Sequence, residues 1–324
     1  MRKLILIITT GGTIAMRKEK NKGIVPNNDL SGFLKSFPQL SEVADIDVYE
    51  FSNIPSPYMT PQKMLDLTKL IDVKIVDYDG VVITHGTDSL EETAYLVDLV
   101  SISRKPIVLT AAMRSGSELG LDGPRNIIYA VRVACELESR NKGALVVMND
   151  DIHSARDVVK TDTGKVSSFE SLQYGKLGNV DPDKVVFHRI SLKNETCWTD
   201  ELETNIDLIK VTTGMDDRFI RASIDKGARG IVIEAFGRGN VPKSILPAIV
   251  DAIAENIIVL IVSRAYTGRV LPEYGYDGGG KNLIEIGAIL GGDLKGHKAR
   301  LKLMVLIGRY KEIEIVKKII QSDN

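Results

Sequence analysis

Cysteine is nearly missing from this chain: two residues, Cys135 and Cys197, in 324. Two thiols cannot build a disulfide framework or a cysteine zinc site, and the expectation is a reducing, cytoplasmic location. The four histidines, His85, His153, His188 and His297, are scattered without metal-ligand spacing. No apolar run approaches the roughly 18 residues of a membrane span. The opening Met-Arg-Lys leads into only five apolar residues, Leu4-Ile5-Leu6-Ile7-Ile8. That is shorter than a secretory core of about 7–15 residues, so it reads as a first strand. Neither sign of charge is in excess. The formal net charge is −1, which gives no general pull towards nucleic acid or an anionic membrane. No repeat of fixed period and no low-complexity tract occurs.

What is present is an ordinary core-forming composition, 44% hydrophobic against 26% charged, in a length that suggests two domains. Strand-like segments at 3–9, 46–51, 80–84, 106–110 and 143–148 alternate with helical patterns. Thr60-Pro61 marks a helix start ahead of Met64, Leu67, Ile71 and Ile75. Ser89 with Glu92 forms a capping box before Tyr95, Leu96 and Leu99. Gly123-Pro124 opens a helix with Ile127, Ile128, Val131 and Ala134 on one face. This alternation predicts a parallel sheet covered on both sides. Residues 149–185 lose periodicity and 190–205 read as a polar linker. A second α/β pattern follows, with strands at 206–211, 230–233 and 257–262 and helices at 243–254, 282–288 and 299–306. The expected division is 1–189, a linker 190–205, and 206–324.

Two segments carry chemistry. Thr9-Thr10-Gly11-Gly12-Thr13-Ile14-Ala15 follows the first strand, and Thr84-His85-Gly86-Thr87-Asp88 follows the third. Ligands of open parallel sheets sit beyond the carboxyl ends of the strands, which makes Thr13, Thr87 and Asp88 candidate neighbours. A threonine hydroxyl acts as a nucleophile only with a base and oxyanion donors nearby. Gly11-Gly12 serves either a strand-to-loop turn or a close approach to a ligand, and the spacing leaves both open. Asp88 with Ser89 reads as a helix cap or as a site carboxylate, and the two can hold together. Lys160 is a proton acceptor if it is buried beside Asp88, although a lysine's default place is the surface. His85 reads as structural, packed at a strand end. Gly275–Asn282 nearly fits a phosphate-binding loop, but Asn282 replaces the metal-binding Ser/Thr and no strand runs into it; it reads as a lining or contact loop.

Together these motifs resemble the bacterial-type L-asparaginases. Gly-Gly-Thr-Ile-Ala, Thr-His-Gly-Thr-Asp-Ser-Leu-Glu-Glu-Thr-Ala and Lys160-Thr161-Asp162-Thr163 carry the likeness. Thr110–Arg114, Asp122-Gly123-Pro124, Gln173-Tyr174-Gly175 and Lys298-Ala299-Arg300 extend it from Leu6 to about Leu306. The resemblance implies a larger N-terminal α/β domain with a mainly parallel sheet flanked by helices, and a smaller C-terminal α/β domain. It implies hydrolysis of L-asparagine to L-aspartate and ammonia through an acyl-enzyme, with side activity on L-glutamine. It also implies no cofactor, and a homodimer or a homotetramer built from dimers. Carried over, Thr13 is the nucleophile, and Thr87, Asp88 and Lys160 form the second catalytic group with Lys160 as base. Asp88 also holds the substrate ammonium, Ser56 the α-carboxylate, and the Thr87 N–H the oxyanion. Ala112 lines the pocket, and Asn240 is a contact supplied across the dimer. Two departures stand out, and one is that Pro57 and Tyr58 stand where polar substrate contacts are common in the family. The other is that the family often has a Tyr in the loop after Gly-Gly-Thr. Here Ile24 follows Gly23 and no Tyr occurs between Ala15 and Val48, leaving Tyr58, Tyr274 and Tyr276 as alternative sources of the hydroxyl. Two other readings are an ammonia-releasing amidotransferase-type subunit and a non-catalytic amino-acid sensor. The start at a first strand argues against the former, and the retained Thr13, Thr87, Asp88 and Lys160 set against the latter.

Overall fold

The computed structural model describes residues 2–12, 16–19, 23–26, 38–116, 118–192 and 195–322, with 16–19 and 23–26 described by their backbone. They fall into two compact units, Met1–Thr196 and Cys197–Asn324.

The first unit holds strands β1 (Leu4–Gly11), β2 (Met16–Glu19), β3 (Gly23–Pro26), β4 (Asp45–Ile54), β5 (Gly80–Thr84), β6 (Ile107–Thr110), β7 (Ala144–Met148), β8 (Asp151–Ser154), β9 (Val159–Lys160), β10 (Phe169–Glu170), β11 (Gly178–Val180) and β12 (Val185–Phe187). Its α-helices are α1 (Pro38–Val43), α2 (Pro61–Lys74), α3 (Leu90–Val100) and α4 (Gly123–Cys135). Eight strands form one sheet in the order β12-β11-β8-β7-β6-β5-β1-β4. The run from β4 to β7 is parallel. Side chains alternate across it, and both faces are buried. Ile5, Ile7, Val82 and Val108 pack with Ile127 and Val131 of α4. Leu6, Ile8, Val81 and Ile83 pack with Leu67 and Ile71 of α2 and with Ala94 and Val97 of α3. Each such side chain stabilises the fold by about 1.5–3 kcal/mol on burial, so the β1–β5 pair is anchored from both sides.

The helix starts at Thr60-Pro61 and Gly123-Pro124 form as expected, and the Thr60 hydroxyl accepts from the Lys63 N–H. The capping box does not form. Ser89 stands at the N-cap position of α3, but its hydroxyl donates to the Ser56 carbonyl 33 residues away. The Ser56 carbonyl also accepts from the Met59 N–H, so the Ser89 hydroxyl ties the start of α3 to the turn after β4 rather than to its own helix. The aperiodic region after 149 contains short strands, β8 to β12. Asn149 and Asp150, both with positive φ, make the tight turn that folds β8 back on β7.

The second unit carries a four-stranded parallel sheet in sequential order, β13 (Ile206–Lys210), β14 (Gly230–Ala235), β15 (Ile258–Ser263) and β16 (Ile289–Leu290). Its helices are α5 (Arg218–Asp225), α6 (Leu246–Ala254), α7 (Gly280–Glu285), α8 (Gly296–Tyr310) and α9 (Ile313–Ser322). The glycine-rich loop before α7 is a packing device. A Cβ at Gly278, Gly279 or Gly280 would lie 2.3–2.5 Å from the carbonyl oxygens of Val241, Tyr274 or Leu271.

One tie in the first unit crosses from the loop before β6 to the end of α2. The Lys105 ammonium donates to the carbonyls of Ile75, Val76 and Tyr78 at 3.0, 2.8 and 2.6 Å. Carbonyls just past a helix end have no partner within the helix. Lys105→Met leaves them without their charged donor and is expected to cost about 1.5–3 kcal/mol, read as a lower urea midpoint; an unchanged midpoint contradicts this account.

Candidate active site

β1 and β5 are neighbours in register, Ile8 beside Ile83 and Thr9 beside Thr84, where β5 ends while β1 runs on to Gly11. The chain leaves β1 for β4 on one side of the sheet, while β5 lies on the other. That places a topological switch point at the carboxyl ends of β1 and β5, where an open sheet leaves a crevice.

Glycine sets how closely the three loops approach there. Gly11 and Gly12 have φ of +105° and +86°. A Cβ on Gly12 would lie 2.3 Å from the Gly86 N and Cα, and one on Gly11 2.4 Å from the Ile54 carbonyl oxygen. A Cβ on Gly86 would lie 2.7 Å from the Ser56 side chain. The turn reading of Gly11-Gly12 therefore holds, since it needs positive φ, and the close approach seen is to the backbones of Gly86 and Ile54. The Thr10 hydroxyl donates to the Thr84 carbonyl at 3.0 Å and the Ser52 hydroxyl to the Thr10 carbonyl at 3.0 Å, tying the ends of β1, β4 and β5 together.

Onto this base the chain places four of the predicted residues. Ser56, buried in a short turn after β4, accepts from the Asp88 N–H through Oγ at 3.2 Å. The Ser89 hydroxyl donates to the Ser56 carbonyl at 2.7 Å, so the loops after β4 and β5 are joined twice. Lys160 closes the group from β9, which is held by antiparallel pairing with β10. Its ammonium donates to Thr87 Oγ1 at 2.9 Å and to Asp88 Oδ1 at 2.6 Å. The Lys160 side chain is 17% exposed and that of Asp88 61%, so the cation is enclosed while the carboxylate faces outward. The surface default for Lys160 is thereby overturned: the two partners at the end of β5 draw it in.

Thr13, next in the chain after Gly12, lies outside the described residues. Ala112 follows β6 and is wholly buried, its side chain in the same core as Ile127 and Val131. Asn240 belongs to the second unit, where its backbone pairs with Phe236. Tyr58 is two residues from Ser56 and 66% exposed; Tyr274 and Tyr276 lie in the second unit with ring centres 5.7 Å apart. Among the described residues no group of three or more His, Cys, Asp or Glu side chains could hold a metal ion.

His85 is wholly buried at the end of β5, as its strand-end position suggested. Nδ1 lies 2.8 Å from the Gly86 carbonyl oxygen and Nε2 3.0 Å from Thr93 Oγ1. Burial pushes the imidazole down from 6.5 to about 4.

Comparison with known proteins places the chain in a family. Residues 4–192 match the family model "Asparaginase, N-terminal" and residues 205–320 match "Glutaminase/Asparaginase C-terminal domain". The chain belongs to the asparaginase family. Among relatives of this family, an L-asparaginase of Bacillus licheniformis is 37% identical over 314 residues, covering 96% of this chain and 98% of that protein. A glutaminase-asparaginase of Pseudomonas fluorescens is 30% identical, covering 95% and 87%. A glutamyl-tRNA(Gln) amidotransferase subunit from Archaeoglobus fulgidus is also 30% identical, covering 98% of this chain and 78% of that protein. The larger mainly parallel unit and the smaller α/β unit are the domains of this asparaginase fold.

Two outcomes follow for this family member. The unfolded chain binds a proton at His85 between pH 6.5 and about 4 that the folded chain does not. The stability this provides is complete above pH 6.5 and is lost as pH falls towards 4, by up to about 3 kcal/mol. The urea midpoint should fall between pH 7.5 and 4.5, with a shallower fall in His85→Asn; parallel slopes would exclude His85 as the source. Gly12→Ala forces a Cβ onto Gly86 at a φ that alone costs about 1–3 kcal/mol, and should lower both melting temperature and turnover.

Proposed function

We propose that this chain hydrolyses L-asparagine to L-aspartate and ammonia, with side activity on L-glutamine. The observation that carries the reading is the Lys160 ammonium seated between Thr87 Oγ1 and Asp88 Oδ1, beside the Gly12–Gly86 contact. A zwitterionic amide substrate needs a carboxylate for its ammonium, hydroxyl donors for its carboxylate, a nucleophile and an oxyanion site. Asp88 and Ser56 supply the first two. Lys160 first gives its ammonium proton to solvent; Thr13 Oγ then attacks the side-chain amide carbon, and its proton passes to the neutral Lys160 amine beside Thr87 and Asp88. That proton leaves with the departing nitrogen as ammonia. Water then cleaves the Thr13 ester, releasing aspartate and restoring the hydroxyl. The Thr87 N–H meets the negative charge that develops on the amide oxygen in both steps. Each atom is supplied by asparagine, water and protein side chains.

The names of relatives support both amides as substrates. The motif resemblance supports a homodimer or homotetramer. The two free cysteines, one in each unit, support a reducing, cytoplasmic location.

Ammonia release from L-asparagine and L-glutamine, measured side by side without nucleotide or metal, tests the reading. Release from asparagine is expected, and release from neither amide would favour an amino-acid sensor. Thr13→Ala should abolish turnover with an unchanged melting temperature, and turnover near wild type would remove Thr13 from its role. Lys160→Met is expected to lower kcat by about 10²–10⁴-fold.

A further inference from the structure

His85 takes no direct part in the chemistry above, yet both of its ring nitrogens are committed within the site. The Gly86 carbonyl oxygen can only accept, so Nδ1 carries the ring proton and donates to it at 2.8 Å. The buried ring is neutral, so Nε2 is an acceptor and the Thr93 hydroxyl donates to it at 3.0 Å. Thr93 lies on α3 and His85 directly after β5, and both are fully buried. The imidazole is therefore fixed in tautomer and orientation by two rigid elements.

The consequence appears one bond further along. The Gly86 carbonyl and the Thr87 N–H belong to the same peptide plane, and the described chain has no cis peptide. In a trans unit the two groups point in opposite directions, so any rotation that takes the carbonyl off His85 swings the N–H by the same angle. Gly86 lacks the Cβ that would restrict such a rotation. Among the described residues no oxygen accepts from the Thr87 N–H. It is a donor aimed away from the buried imidazole.

We propose that His85 is a positioning residue for the hydrolysis: its Nδ1–H···O=C bond to Gly86 sets the Gly86–Thr87 peptide plane and so aims the Thr87 N–H at the oxyanion. The inference rests on the amidohydrolase reading above. Oxyanion donors act because they are oriented before charge develops, and loss of one costs about 10²–10³-fold in kcat. Misdirecting the donor costs part of that.

Three variants test it, with kcat, KM, L-aspartate affinity and melting temperature measured for each. His85→Asn keeps a donor at the Nδ1 position. His85→Gln keeps a polar group at the Nε2 position but none at Nδ1. Thr93→Val keeps the imidazole and removes the donor that fixes its tautomer. H85Q is expected to lose about 10- to 100-fold in kcat, with KM and aspartate affinity within about 3-fold of wild type. H85N should recover most of that loss although its smaller side chain lowers the melting temperature at least as much. T93V should lose about 3- to 10-fold in kcat in the same KM-neutral way. A purely structural histidine would make kcat follow melting temperature instead. Equal kcat in H85N and H85Q overturns the proposal, as does a loss confined to KM. Absence of ammonia release from the wild type overturns the amidohydrolase reading itself, and this inference with it.

Discussion

The site depends on a contact between two stretches of bare backbone. Gly12 and Gly86 meet at the ends of adjacent parallel strands, at a distance that excludes a Cβ on Gly12. The rest of the site is placed by that contact. Gly86 in turn carries the Ser56 side chain against it, so the loops after β1, β4 and β5 share one small volume. A few tenths of an ångström matter here because packed interiors do not deform continuously. The two hydrophobic cores, one on each face of the sheet, hold β1 and β5 in register, and that register is what lets the loops touch.

Polar groups at the site divide into two kinds. His85, Thr93, Ser89 and the Ser56 carbonyl are buried and spend their hydrogen bonds on one another and on the backbone. They shape the turn after β5. Thr87, Asp88 and Lys160, the groups proposed to react, lie beside them, and Asp88 is mostly exposed. A buried layer of satisfied neutral groups beneath a charged layer is a sound way to preorganise a site, since orientation is settled where water cannot compete. The Lys160–Asp88 pair is half in solvent, so its worth lies in placing the ammonium against Thr87 rather than in stability.

The relatives that share the family are named for asparaginase, glutaminase-asparaginase and amidotransferase chemistry. All three names denote chemistry at an amide. A set of groups for amide cleavage at the strand ends suits each of them, and what surrounds that set is where differences between substrates can arise. In this chain the exposed Tyr58 stands two residues from Ser56, and no Tyr occurs between Ala15 and Val48.

Much of this was legible in one dimension. Short β-branched runs ending in glycine announced β1 and β5, and Thr60-Pro61 and Gly123-Pro124 announced two helix starts. Those signals are local: they express the φ/ψ preferences and periodicity of a few consecutive residues. Helix α5 escaped because its buried face is only Ile220 and Ser223 among charges, and β8 to β12 escaped because strands of two to four residues carry too little periodicity. By itself the sequence determined which residues end the strands, which turns require glycine, and which side chains could do the chemistry. Only the tertiary structure decided that Lys160 reaches Thr87 across 73 residues, that Ser89 bonds Ser56 rather than its own helix, and which nitrogen of His85 bears the proton. The reason is physical: a hydrogen bond's partner is chosen by strand order, register and burial, none of which exists until distant segments have packed.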